Sequence, residues 1–304
     1  MDFTRIKEEL GQLQVGAILE KEPMAKHTTF KVGGLAKLYI KVKDQQALIT
    51  ILRYCQDHMI QHMVIGKGSN VLFSDQPYEG IILSLQENFQ SYEIEGTKVF
   101  CQAGVSMIQL AYETAKAGLS GLSFMSGIPG TIGGGMYMNA GAYNSDVAAV
   151  VEDVTILDET LAVKVLSKKD MQFSYRHSIL QVHPDWIVLG ATFTLQCESA
   201  QSIKEVIERR KERRMATQPW DFPSAGSVFR NPEGKSAWQC IDEAGLRGYQ
   251  IGGAQISPKH SNFIINTGQA RAQDIYDMIQ HIQDTVYRTC GISLHQEIRF
   301  VNWE

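Results

Sequence analysis

The chain has 304 residues, 44% of them hydrophobic and 20% charged, so it is long enough for two or three domains with real cores and too apolar for disorder. A net charge of -4 argues against general nucleic-acid affinity, because neutralising several phosphates takes a basic excess. No stretch approaches the roughly 20 apolar residues of a membrane span, and the charged opening, with Asp2, Arg5, Lys7 and Glu8, is unlike a signal peptide. A cytoplasmic protein without membrane contact is expected. Cys55, Cys101, Cys197, Cys240 and Cys290 are scattered, with no C-x-x-C pair and no histidine placed so as to suggest a zinc site, so they are expected to be buried or inert thiols and no metal site is expected.

After a short helical leader, Ala36 to Val42 alternates as a strand does, and Gln45 to Ile60 sets Leu48, Ile51, Leu52, Cys55 and Met59 at helical spacing. His62 to Ile65 and Ile81 to Leu85 read as strands, completing a small β-α-β unit. A second run follows, with a strand near Val99 to Gln102, a helix over Met107 to Ala117, a glycine-rich loop, and strands near Val151 to Leu157 and Trp186 to Leu195. Ser202 to Arg214 reads as a helix opened by a capping box of Ser202 and Glu205. Beyond it lie expected strands at Ser227 to Phe229, Asn262 to Ile265 and Glu297 to Val301, and a long amphipathic helix over Gln273 to Thr289 that ends at Gly291. Mixed helix and strand around an inserted loop fits an α+β fold better than a regular doubly wound sheet. No internal repeat or low-complexity segment stands out.

The densest signal is Gly127-Ile128-Pro129-Gly130-Thr131-Ile132-Gly133-Gly134-Gly135, continuing to Asn139, Gly141 and Ala142. Glycines at this density leave main-chain N–H groups uncovered and permit positive φ, which suits a flat or anionic ligand. A flexible linker would carry Ser, Gln and charge; this stretch interleaves Ile128, Ile132 and Met136 and is uncharged from Gly127 to Asn144, so a packed loop is expected. The second signal is Gly66-Lys67-Gly68-Ser69-Asn70 after a strand. Val71 stands where a Rossmann fingerprint needs its third glycine, and no P-loop pattern occurs, which leaves a tight turn with free N–H groups suited to a pyrophosphate.

The two glycine segments together resemble the FAD-binding domain of the vanillyl-alcohol oxidase (PCMH) type. Further blocks are Ser174-Tyr175-Arg176-His177-Ser178, Ser224-Ala225-Gly226-Ser227-Val228-Phe229-Arg230-Asn231-Pro232 and Glu297-Ile298-Arg299-Phe300. With these the chain resembles the UDP-N-acetylenolpyruvoylglucosamine reductase family over nearly its whole length, from His27-Thr28-Thr29-Phe30 onward. The resemblance implies a leader over 1–20, an FAD-binding domain over 21–197 in two α+β lobes (21–90 and 91–197), and an α+β substrate domain over 198–304. It implies non-covalent FAD despite His27, NADPH as hydride donor, and UDP-N-acetylglucosamine enolpyruvate as substrate. The short gap between Arg176 and Ser227 matches the subgroup without an inserted, tyrosine-bearing loop.

By the same resemblance Arg176, Ser227 and Glu297 are catalytic. Arg176 would hold the substrate carboxylate with a guanidinium fork as enolate-like charge develops. Ser227 would protonate the other carbon. Glu297 would orient Ser227 or a water, protonated or paired with Arg176 beside a second carboxylate. Asn231 would join these three as a substrate contact. Gly66, Lys67, Gly68, Ser69, Asn70, Gly127, Pro129, Gly130, Thr131, Ile132, Gly133, Asn139, Gly141 and Ala142 would surround the cofactor. The basic run Arg209 to Arg214 reads better as the polar face of a helix than as a diphosphate site. A flavin oxidase or dehydrogenase of the same fold, needing neither Ser227 nor Arg176, is the rival reading, and a nucleotide-binding protein without turnover is a third; a monomer is expected.

Overall fold

The computed structural model describes residues 1–303, which separate into two compact units. The first contains Met1–Glu20, Leu38–Lys67 and Gly80–Glu212; the second contains Lys21–Lys37, Gly68–Glu79 and Arg213–Glu304. These units cut across the division expected from sequence. The leader and residues up to 212 share one core, whereas two segments of the expected FAD-binding domain, around residues 21–37 and 68–79, pack with the C-terminal part. Chain order alone does not reveal such a return.

The first unit holds a four-stranded sheet in the order Gly16–Pro23, Leu35–Val42, Tyr78–Ser84, His62–Ile65, three of whose strands continue into segments of the second unit. A five-stranded antiparallel sheet runs Val163–Ser167, Val151–Leu157, Ile187–Thr194, Lys98–Gln102, Tyr92–Glu95. Helices α1 (Phe3–Gln12), α2 (Gln45–Asp57) and α3 (Met107–Lys116) bury their apolar stripes on these sheets. Asp44 caps α2 by accepting from the Ala47 N–H, and Leu48, Ile51, Leu52 and Cys55 are buried one turn apart. Each such side chain is worth about 1.5–3 kcal/mol on burial. Met59, expected on that face, is instead 89% exposed, because α2 ends at Asp57 and Met59 itself turns left-handed, with φ 52°.

The glycine stretch also departs from expectation. Its second half is not loop but a short helix, α4 (Ile132–Met138), whose cap Thr131 accepts from the Gly134 N–H. Helix α5 (Ala200–Thr217) starts before Ser202, so the expected capping box lies inside it, and only Ile203 and Ile207 are buried.

In the second unit, α6 (Ala237–Glu243) and α7 (Ala272–Cys290) cover a three-stranded sheet of Gln250–Ile251, Ala254–Ile256 and Ile264–Asn266. Ile275, Met278, Ile279, Ile282 and Val286 form the buried stripe of α7, and Gly291, with φ 69°, terminates it as the sequence indicates. Arg299–Val301 pairs in parallel with Val71–Phe73. The expected strand at Ser227–Phe229 is only an isolated bridge between Phe229 and Gln296, in a segment flanked by Pro223, Gly226 and Pro232.

Among the described residues no helix is long and apolar enough to cross a membrane, and no cluster of His, Cys, Asp or Glu could hold a metal. Cys55, Cys101 and Cys240 are buried, Cys290 is partly buried, and Cys197 is exposed on a short strand. Burial pushes the Cys55 and Cys101 thiols up to about 12. Iodoacetamide added to the native protein should therefore alkylate Cys197 first and reach Cys55 and Cys101 only after unfolding. Peptide mass spectrometry over a time course reads the order.

Candidate functional site

Within the first unit the two glycine segments meet. A β-carbon on Gly66 would lie 2.5 Å from Thr131 Oγ1, so only glycine lets the strand His62–Ile65 end against the cap of α4. The Gln86 side-chain amide donates to the Gly66 carbonyl at 2.7 Å and fixes the turn. Lys67 extends its ammonium to Ser106 Oγ at 2.9 Å, and burial lowers its pKa. Ser106 in turn caps α3 and bridges Thr131.

The chain then enters the second unit at Gly68. Its φ is 60°, and a β-carbon there would lie 2.0 Å from the His27 carbonyl oxygen. The Thr29 N–H donates to the Gly68 carbonyl, so the His27-Thr28-Thr29 block supports the turn. Among the described residues the N–H groups of Lys67, Gly68, Ser69 and Asn70 make no main-chain hydrogen bond. Consecutive N–H groups left open beside glycine are what an anionic pyrophosphate requires.

The second glycine segment behaves differently. Gly130 N–H donates to Ile128, Ile132 to Val105, Gly133 to Ala103 and Gly135 to Thr131, so these groups do not form the open cradle that their glycine content suggests. Glycine serves close approach here. A β-carbon on Gly130, Gly133 or Gly135 would come within 3.1–3.2 Å of Met107 Sδ or Ala103 Cβ. Gly127 and Pro129 form the tight entry to this stretch, Gly127 ending the 3-10 helix Ser123–Gly127.

Asn139 ends α4 in the left-handed conformation, at φ 43°, and is buried. Its side-chain amide donates to Asp146 Oδ2 and to the Ser174 carbonyl and accepts from the Ala148 N–H. All of its side-chain bonding is thus to protein. Gly141 and Ala142 pair with Asp146 and Ser145 in a hairpin whose two turn residues, Tyr143 and Asn144, both have positive φ, as a type I′ turn requires. Arg176 lies on a second tight hairpin, closed by reciprocal bonds between Ser174 and His177, with φ 56°. The Arg176 guanidinium donates to the Gly141 carbonyl at 3.0 Å, so the structure brings Arg176 to the end of the glycine segment. Arg210 packs over the Tyr143 ring and donates to Ser123 Oγ, which makes this part of the basic run a helix face tied to the fold.

In the second unit Ser227 and Asn231 are exposed. The Glu297 N–H donates to the Val228 carbonyl at 2.7 Å, placing Glu297 one register position from Ser227. Asn70 joins them, its amide donating to the Glu297 carbonyl at 3.1 Å. Asn231 Oδ1 accepts from the Ala237 N–H at the start of α6. Sequence reasoning missed Asn262. Buried, it accepts from the Phe229 N–H and donates to the Phe229 carbonyl through its side chain, and its own carbonyl accepts from the Val228 N–H. No local pattern marks such a residue, since its partners lie more than thirty positions away.

Residues 36–163 match the family model of an FAD binding domain, which makes this a flavin-binding protein of mixed α and β architecture. Residues 218–301 match the C-terminal domain of UDP-N-acetylenolpyruvoylglucosamine reductase. Proteins of that name from Anoxybacillus flavithermus and Bacillus cereus are 41% and 43% identical, covering 98% and 96% of this chain and 98% and 97% of their own. The crystal structure of the reductase from Thermus caldophilus superposes with a TM-score of 0.79 at 32% identity, covering 93% of this chain and 98% of its own. The chain belongs to the UDP-N-acetylenolpyruvoylglucosamine reductase family.

Gly68→Ala forces a β-carbon into the His27 carbonyl in a left-handed backbone, a strain of about 1–3 kcal/mol before the clash is counted. The purified variant should lose its visible flavin absorbance per mole of protein. Asn262→Ala leaves the Phe229 amide groups unpaired and should lower unfolding free energy by about 2–4 kcal/mol, read by urea denaturation.

Proposed function

We propose that the protein reduces UDP-N-acetylglucosamine enolpyruvate to UDP-N-acetylmuramate, a step of peptidoglycan precursor synthesis, with NADPH as electron donor. The observation that supports this reading most is the pairing of the Ser227 segment with Glu297 in the second unit: the Glu297 N–H donates to the carbonyl of Val228, the residue after an exposed Ser227. Hydride chemistry alone needs neither group. Adding hydride and a proton across a carbon–carbon double bond needs a proton donor.

Residues that would hold FAD are the open N–H groups of Gly68 to Asn70 in the second unit and, in the first, Lys67 and the segment from Gly127 to Ala142; the bound flavin would supply the hydride chemistry. Arg176 binds the substrate carboxylate through its fork and stabilises the enolate-like charge that builds on it. Ser227 gives its hydroxyl proton to the carbon alpha to that carboxylate, so a C–H bond forms as the O–H bond breaks. Glu297 orients the Ser227 hydroxyl, directly or through water, and a proton from solvent restores the serine after transfer. Asn231, its carbonyl engaged at α6, offers its NH2 to the sugar or diphosphate. Family membership over almost the whole chain supports these roles, and the left-handed backbone of Arg176 supports its own, because strain of this kind gathers at functional positions.

Anaerobic absorbance tests the reading directly. NADPH should bleach the flavin band, and UDP-N-acetylglucosamine enolpyruvate should restore it; recovery with oxygen alone identifies an oxidase instead. In Ser227→Ala the bleaching should persist while recovery slows by on the order of a hundredfold or more. Unchanged recovery removes Ser227 as the donor. Arg176→Lys keeps the charge and loses the fork, and should raise KM and lower kcat together in steady-state assays.

A further inference from the structure

A side chain outside every motif converges on the Arg176 turn. Gln181 donates from Nε2 to the Arg176 carbonyl at 3.0 Å and to the Tyr137 carbonyl at 3.0 Å. A side-chain amide has two N–H donors, so the pair of carbonyls uses its donating capacity in full. Ser178 Oγ donates to the same Tyr137 carbonyl at 2.8 Å, and Asn139 holds the Ser174 carbonyl at the start of the turn. Both ends of Arg176 are therefore tied to α4 and the segment that follows it: its carbonyl through Gln181 to Tyr137 in the last turn of α4, its guanidinium to the Gly141 carbonyl beyond it.

This tether answers a local problem. A left-handed arginine in a two-residue turn is strained and returns to negative φ unless its peptide groups are held. Releasing the carbonyl lets the peptide rotate and swings the guanidinium away from Gly141. Gln181 is half-buried and follows the turn by five residues, close enough to act as a strut without entering the site.

We propose that Gln181 is a positioning residue for Arg176, holding its left-handed backbone so that the guanidinium is aimed before substrate arrives. The proposal rests on the catalytic role of Arg176 given above. Gln181→Met keeps the side chain's volume and removes both donors. In single-turnover stopped flow, recovery of the reduced flavin by the UDP-sugar should slow about tenfold, while bleaching by NADPH stays within about twofold. In the Arg176→Ala background the same change should add less than about twofold, since no guanidinium remains to aim.

Bleaching by NADPH in each sample certifies folded, flavin-loaded protein. If Gln181→Met does not retain flavin, Gln181→Glu, of the same shape but unable to donate when ionised, is read in the same scheme. Equal slowing with and without the arginine side chain overturns the proposal and makes Gln181 a structural staple. Slow recovery in Arg176→Ala with normal recovery in Gln181→Met also overturns it and leaves the role of Arg176 standing. Normal recovery in Arg176→Ala removes that role, and the proposal with it.

Discussion

Close approach of glycine backbone to neighbouring chain is the constraint on which the first unit depends. A β-carbon would lie 2.5 Å from Thr131 Oγ1 at Gly66, 3.1 Å from Ala103 Cβ at Gly133 and 2.5 Å from the Ser145 carbonyl oxygen at Gly141, each closer than a β-carbon ordinarily packs. The first of them joins chain segments more than sixty residues apart, Gly66 to Thr131. The end of a parallel strand, the cap of α4 and the start of α3 thereby share one small volume, with Ser106 and Thr131 bridged at its centre. Glycine's entropic cost in the unfolded chain is offset by the packing of Ile132 and Met136, which are fully buried between these contacts.

Much of this was readable in the sequence. The helical spacing of Leu48, Ile51, Leu52 and Cys55 located α2, and Gly291 located the end of α7, because each signal is local and strong. The glycine stretch meets one expectation and departs from another. It was packed, as its uncharged, apolar-interleaved composition required, but its N–H groups turn inward to Val105 and Ala103 instead of standing open. Glycine content cannot distinguish a cradle from a close contact, since both need the same missing β-carbon. The open N–H groups lie instead at Lys67 to Asn70, the segment whose sequence signal was weaker. Asn139, Asn262 and Gln181 were beyond sequence reasoning about roles, as the significance of an amide lies in partners supplied by distant chain.

Amides do much of the organising in both units. Asn139 and Gln181 fix the Arg176 turn, Asn262 fixes the Ser227 segment, and Asn70 reaches the Glu297 carbonyl. A neutral amide donates and accepts without adding charge, so it can hold a turn rigid beside groups whose charge matters to chemistry. A carboxylate in place of these amides could not donate and an ammonium group could not accept, so either would lose part of the bonding as well as alter the field at Arg176 or Glu297.

The left-handed backbone of Arg176 has an evolutionary consequence. Glycine would relieve the strain at that position, on the order of 1–3 kcal/mol, and would delete the guanidinium in the same stroke. Selection for stability and selection for turnover thus pull in opposite directions at a single codon. A library screened only for thermal resistance would drift toward glycine there, and a library screened for growth would hold arginine and gather its compensating stability elsewhere.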